Sequence, residues 1–108
     1  MERLLILSHD YSVESLKLYQ ILKAENNESY LGRKIMTNGL ELGLFIRSSD
    51  LEFTAKEFAQ KCNSFLVEMD FILNVITDAN YLSVEHTANI KSVIINIKQA
   101  LAENEEVK

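Results

Sequence analysis

Two histidines, one cysteine and a scatter of carboxylates and cations are the side chains through which this sequence could do chemistry, and their spacing decides which chemistries are open. His9 and His86 each stand alone. Neither has a second histidine or cysteine four residues away, the spacing that puts two metal ligands on one helical face. Each reads as a surface or partly satisfied histidine, and no metal site is expected. Cys62 falls within an apolar seam, where a thiol behaves as a small buried hydrophobe shielded from nucleophilic work. It is the single cysteine and has no partner for an internal disulfide. Glu68 and Asp70 are two residues apart, so on a helix they point to different faces and cannot share a proton or a metal. The sequence holds neither a Glu-x-x-His pair of the di-iron kind nor a glycine loop able to cradle phosphate. The expectation is a protein that is not an enzyme, with no cofactor and no small-molecule substrate.

Positive charge is the one uneven feature. Arg33, Lys34 and Arg47 belong to one expected helix, and Lys56 and Lys61 to the first half of the next. Arg33 and Arg47 are fourteen residues apart, close to four helical turns, and so lie on roughly the same side at a separation of about 21 Å. Such a ridge could meet the phosphates of a nucleic acid. The competing reading is ordinary solvated charge balanced by Glu41, Glu52 and Glu57. Eleven basic against sixteen acidic residues give a net charge of −5, the wrong sign for gripping nucleic acid over the whole surface, so any contact must be local.

The elements that would position these groups are helices. There is no proline and there are only three glycines, so the Gly/Pro punctuation of all-β folds is missing. A length of 108 residues with 47% hydrophobic side chains suits one domain with a real core. Phe58, Cys62, Phe65, Met69, Ile72, Ile76 and Ala79 follow at alternating spacings of four and three, and Ala59, Leu66 and Leu73 widen the stripe. A helix with so broad an apolar face needs neighbours on two sides. Ser49 or Asp50 is placed to cap its start. Ile90, Ile94, Ile97 and Leu101 make a further seam after a cap at Ser83, before a polar "ENEEVK" tail expected to fray. Leu31, Ile35, Gly39, Leu42 and Ile46 make another, with Asn27 or Ser29 as its cap. Leu4, Leu7, Tyr11, Leu18 and Leu22 fit a first helix with a gap at Glu14 and Ser15, and "SHDYS" leaves open whether that helix is continuous.

Helices near 2–24, 29–47, 51–79 and 83–103, joined by short connections, make an all-α, antiparallel up-down-up-down four-helix bundle the economical arrangement. The apolar run "LLIL" is far too short for a membrane span, and a cytoplasmic location follows by default. In "GLELGLF", Gly39 and Gly43 each cost the helix about 1 kcal/mol against alanine. Close approach of a neighbouring helix would offset that cost. The same spacing joins helices in membranes, but this segment is too short to span one and Glu41 interrupts it.

The stretches "LGRKIMTNGLELGLFI" and "FAQKCNSFLVEMDFILNVITDANYLS" carry a resemblance to a known family. With Leu31, Gly32 and Arg33 opening the second helix, Leu40, Glu41 and Leu42 within it, and Leu66, Glu68, Asp70 and Ile76 before the turn at Tyr81 to Ser83, the chain resembles two related groups. These are the accessory variability determinant proteins of diversity-generating retroelements and the four-helix proteins of ribosomal RNA intervening sequences. The resemblance covers residues 31 to about 100. It implies a bundle that assembles into a pentameric ring and binds a reverse transcriptase and its template RNA. It implies a nucleic-acid contact at Arg33, Lys34 and Arg47. The first helix ends in "KAENNES" without the Phe-Pro step common in the family, and retroelement members are strongly basic where this chain is acidic. The alternative is an acidic helical scaffold or adaptor that contacts protein partners only. Leu44, Phe45 and Phe71 lie at the margins of the seams, as candidates either for an oligomer interface or for the core.

Overall fold

Four α-helices account for nearly all of the chain in a computed structural model that describes residues 2–49 and 55–107, the side chains of 104–107 excepted. They are α1 (Glu2–Asn26), α2 (Tyr30–Ser48), α3 (Ala55–Asp78) and α4 (Val84–Val107), and no strand occurs among the described residues. Together they form a helical bundle with principal extents of 44 × 21 × 19 Å. Each helix packs on two others: α1 on α2 and α4, and α3 on α2 and α4. Arg3 near the start of α1 pairs with Glu103 near the end of α4 at 2.9 Å, and Glu25 near the end of α1 lies 3.8 Å from His86 near the start of α4. No helix among the described residues is long and apolar enough to cross a membrane.

The α1 seam is continuous, and its gap is filled by serine. Leu4, Ser8, Tyr11, Ser15, Leu18 and Leu22 are all buried at alternating spacings of four and three, so "SHDYS" is an internal part of one helix. Ser15 Oγ donates to the Tyr11 carbonyl at 2.7 Å and Ser8 Oγ to that of Leu5 at 3.0 Å, which satisfies both hydroxyls without leaving the helix. The remaining core is mainly aliphatic: Ile35, Leu42 and Ile46 from α2, Phe58, Ala59, Cys62, Leu66, Met69, Ile72, Leu73 and Ile76 from α3, and Ile90, Ile94, Ile97 and Leu101 from α4. Phe65 is only half-buried, and Ala79 lies exposed beyond the end of α3.

The ends of the helices differ in several places from the sequence expectation. Ser49 serves the C-terminal end of α2, where its N–H donates to the Phe45 carbonyl at 2.9 Å, while Asp50, Glu52 and the expected start of α3 at 51 lie outside the described residues. Ser29 stands at the N-cap of α2 without a side-chain bond. Glu28 takes over, its Oε1 accepting from the Leu31 N–H at 2.7 Å. Asn27 and Asn80 both adopt positive φ, 52° and 67°. Asparagine tolerates this conformation and so can end a helix where glycine usually would. Asn80 donates to the Thr77 carbonyl and Tyr81 to that of Ile76, each at 3.0 Å, a Schellman closure of α3. Ser83 does cap α4: its Oγ accepts from the His86 N–H at 3.1 Å, and the Ser83 N–H returns a bond to His86 Nδ1 at 3.2 Å. That is a reciprocal capping box in which histidine replaces the usual glutamate. The tail expected to fray after residue 103 continues as helix to Val107.

Candidate nucleic-acid interface

The closest approach in the bundle lies between α1 and α2. A Cβ added to Gly39 would overlap the Ser15 Cβ and Oγ, and one added to Gly43 would stand 2.6 Å from Ser12 Oγ. Gly32 makes a third such site, where a Cβ would stand 2.8 Å from Tyr19 Cδ1. Ser12 Oγ donates to the Gly39 carbonyl at 2.7 Å, a bond from side chain to helix backbone that needs the two helices to be this close. The rotation of α2 about its own axis is thereby fixed. Gly39 faces α1, Asn38 turns toward α3, and residues 33, 37, 40 and 44 are left outward.

Asn38 is the hinge of a buried polar chain. Tyr11 Oη donates to Asn38 Oδ1 at 2.6 Å, and Asn38 Nδ2 donates to the Phe65 carbonyl at 2.9 Å and to Glu68 Oε1 at 2.7 Å. Three helices are thus tied together by one fully used amide. Burial, reinforced by the nearby charges of Asp70 and Glu68, pushes the Tyr11 phenol well above the ordinary tyrosine range, so it remains a donor. No buried side-chain nitrogen or oxygen among the described residues lacks a partner. Burial also pushes the Cys62 thiol up to about 12, consistent with a packing role.

Outside this hinge lies an open cleft of about 450 Å³ lined by Ser29, Tyr30, Arg33, Lys34, Thr37, Asn38, Glu41 and Glu68. The spacing of three and four along α2 from Tyr30 to Glu41 is what brings these side chains to one face. Tyr30 is 67% exposed, and Lys34 Nζ stands 5.7 Å from its ring centroid, within cation–π range. Arg33 and Lys34 are exposed and make no ion pair with any described residue. The cleft therefore offers free cations, an accessible aromatic face and two carboxylates within one small volume.

The other expected site residues are scattered. Arg47 is exposed at the far end of α2, and Lys56 and Lys61 are exposed on α3; none of the three lines the cleft. Leu44 and Phe71 are exposed, whereas Phe45 turns inward, its ring stacked on Phe58 with centroids 5.5 Å apart, and packs as core. Tyr30, Thr37, Asn38 and the two glutamates are cleft residues that charge alone did not point to. An exposed-type aromatic one turn before Lys34, and an asparagine next to Gly39 inside an apolar run, were the available signals. Among the described residues no group of three or more His, Cys, Asp or Glu side chains is placed to hold a metal ion. No family model, no curated protein and no solved structure matches this chain.

Proposed function

We propose that this chain is a non-catalytic cytoplasmic accessory protein: an antiparallel up-down-up-down bundle that self-associates, on the pattern of a pentameric ring, and binds a reverse transcriptase together with its template RNA. The observation that carries the RNA contact is the cleft in which Arg33 and Lys34 stand beside the exposed Tyr30 ring. Free cations supply phosphate attraction, and an aromatic face supplies the sequence-tolerant stacking that single strands use. The paired ends Arg3 with Glu103 and Glu25 with His86 support the opposed direction of α1 and α4. Exposed Leu44 and Phe71, with Val67 and Val75 one turn either side of Phe71, are apolar side chains available to a neighbouring copy or a partner protein.

A charge-reversed Arg33/Lys34/Arg47 variant tests the site. These side chains are exposed, so the fold should be retained while affinity for a single-stranded RNA falls and its salt dependence flattens. Full RNA and polymerase binding by that variant refutes the assignment. Light scattering tests the assembly, since a ring of five requires about five times the 12.4 kDa chain mass.

A scaffold that contacts protein only is the second reading, favoured by the net charge of −5. Capture of the polymerase that persists at high salt, with no RNA affinity at low salt, selects it.

A further inference from the structure

The cleft holds more than a phosphate site requires. Two carboxylates, Glu41 and Glu68, line it together with the two cations. In a surface meant only to attract phosphate they would be counterproductive, because like charges repel in the same small volume. Glu68 is moreover held in place: its Oε1 accepts from Asn38 Nδ2, and Asn38 is itself gripped from inside by the buried Tyr11 hydroxyl. A chain of hydrogen bonds from the core thus orients a carboxylate at the edge of the cleft, with Oε2 making no bond to a described residue.

An oriented carboxylate is an acceptor only, so it selects a ligand edge that presents donors. Among the four RNA bases guanine alone offers two adjacent N–H donors, N1–H and the N2 amino group, on its Watson–Crick edge. Adenine and cytosine place a ring acceptor beside their amino group, and uracil flanks its one N–H with carbonyl oxygens; each would turn a lone pair toward the carboxylate. Along α2, Arg33 and Asn38, whose amide holds Glu68, are five residues apart, about 7.5 Å of helix, so the cations and the oriented carboxylate stand at opposite ends of a space about one nucleotide long. An unpaired base read on this edge and stacked on an aromatic ring is the usual mode of single-stranded RNA recognition.

We propose that the cleft captures one unpaired guanine nucleotide of an RNA strand, its base on the Tyr30 ring, its phosphate on Arg33 and Lys34, and its N1–H and N2–H donors on Glu68, a reading that rests on the RNA contact proposed above. Thr37 lines the middle of the cleft as a hydroxyl able to donate or accept toward the ribose. Tyr11 is a positioning residue for Asn38, and Asn38, on the inner wall of the cleft, is one for Glu68.

The test is an NMR titration of the full ¹⁵N-labelled chain at low salt with a uridine hexanucleotide and with the same strand carrying one central guanosine. Guanosine, inosine and adenosine monophosphates are titrated in parallel. The expected result is amide shifts over residues 30–41 and at Glu68, with the guanosine strand binding about tenfold more tightly than all-uridine. Inosine monophosphate, which lacks the N2 donor, should fall between guanosine and adenosine monophosphates. Tyr30→Ala should weaken the guanosine strand about fivefold or more. Glu68→Gln should erase the base preference while retaining the phosphate-dependent affinity, and the nucleotide comparison in the unaltered chain stands even if that variant is unstable. RNA binding at Arg33 and Lys34 with no base preference and no effect of Tyr30→Ala overturns the guanine site and leaves the RNA contact standing. Absence of shifts with every probe overturns both.

Discussion

Replacing Gly39 by alanine sets two effects of similar size against each other, and the structure decides the sign. No glycine here has positive φ, so alanine fits the backbone and gains about 1 kcal/mol of helix propensity. Against this, the new Cβ overlaps Ser15 at both Cβ and Oγ. Rotation of the hydroxyl cannot relieve the clash with the Ser15 Cβ, which is fixed to the α1 backbone, so the helices must separate. Overpacking of this kind costs about 1 to 3 kcal/mol. Separation also strains the bonds from Ser12 to the Gly39 carbonyl and from Tyr11 to Asn38, each worth about 1 kcal/mol. The net expectation is a loss of about 1 to 2 kcal/mol, with Gly39→Leu worse. Gly43→Ala should be near neutral: the one close atom is the Ser12 hydroxyl, which can turn away, and losing its bond to the Gly39 carbonyl, about 1 kcal/mol, offsets a similar gain in helix propensity. Urea denaturation followed by circular dichroism should show the Gly39→Ala midpoint lowered by about 0.5 to 1 M at unchanged slope. In a Ser15→Gly background most of that loss should disappear, a coupling of about 1 kcal/mol. A Gly39→Ala protein more stable than the original would refute close helix approach as the reason for the glycine.

Tyr11→Phe leaves Asn38 Oδ1 buried without its donor and should cost about 1 to 3 kcal/mol in the same assay. Because folding raises the Tyr11 pKa above its unfolded value of 10.0, its contribution is full below that pH and is lost as pH rises beyond it. Stability should therefore fall above about pH 10, and fall less steeply in Tyr11→Phe; equal slopes would count against a buried phenol. Cys62, with its thiol pushed up to about 12, should resist an aromatic disulfide reagent at neutral pH in the folded protein and react promptly in urea. Ser83→Ala removes the cap of α4 and should lower stability by about 1 kcal/mol, whereas Ser29→Ala, at a position with no side-chain cap bond, should change little.

Periodicity alone made the four helices legible, because burying an apolar stripe is a repeated, local demand: Ile90, Ile94, Ile97 and Leu101 can satisfy it in only one conformation. Loss of the pattern at Ser8 and Ser15 was ambiguous in the sequence, since a serine is apolar or polar according to where its hydroxyl bonds. The facing glycines of α2 settled it by bringing a backbone close enough that only a small side chain fits. The five cations were equally visible from sequence, but charge counts do not say which of them converge. Arg33 and Lys34 share a cleft with Tyr30 and Glu68 because Gly39 turns the opposite face of α2 onto α1 and Asn38 locks it against α3. Sequence determined that the chain would be helical and which aliphatic seams would be buried, since both follow from local spacing; that Ser8, Ser15 and Asn38 join them did not follow from it. The position of each helix about its own axis, and with it the composition of the cleft, depended on contacts 27 to 30 residues apart in the chain, and only the tertiary structure decided it.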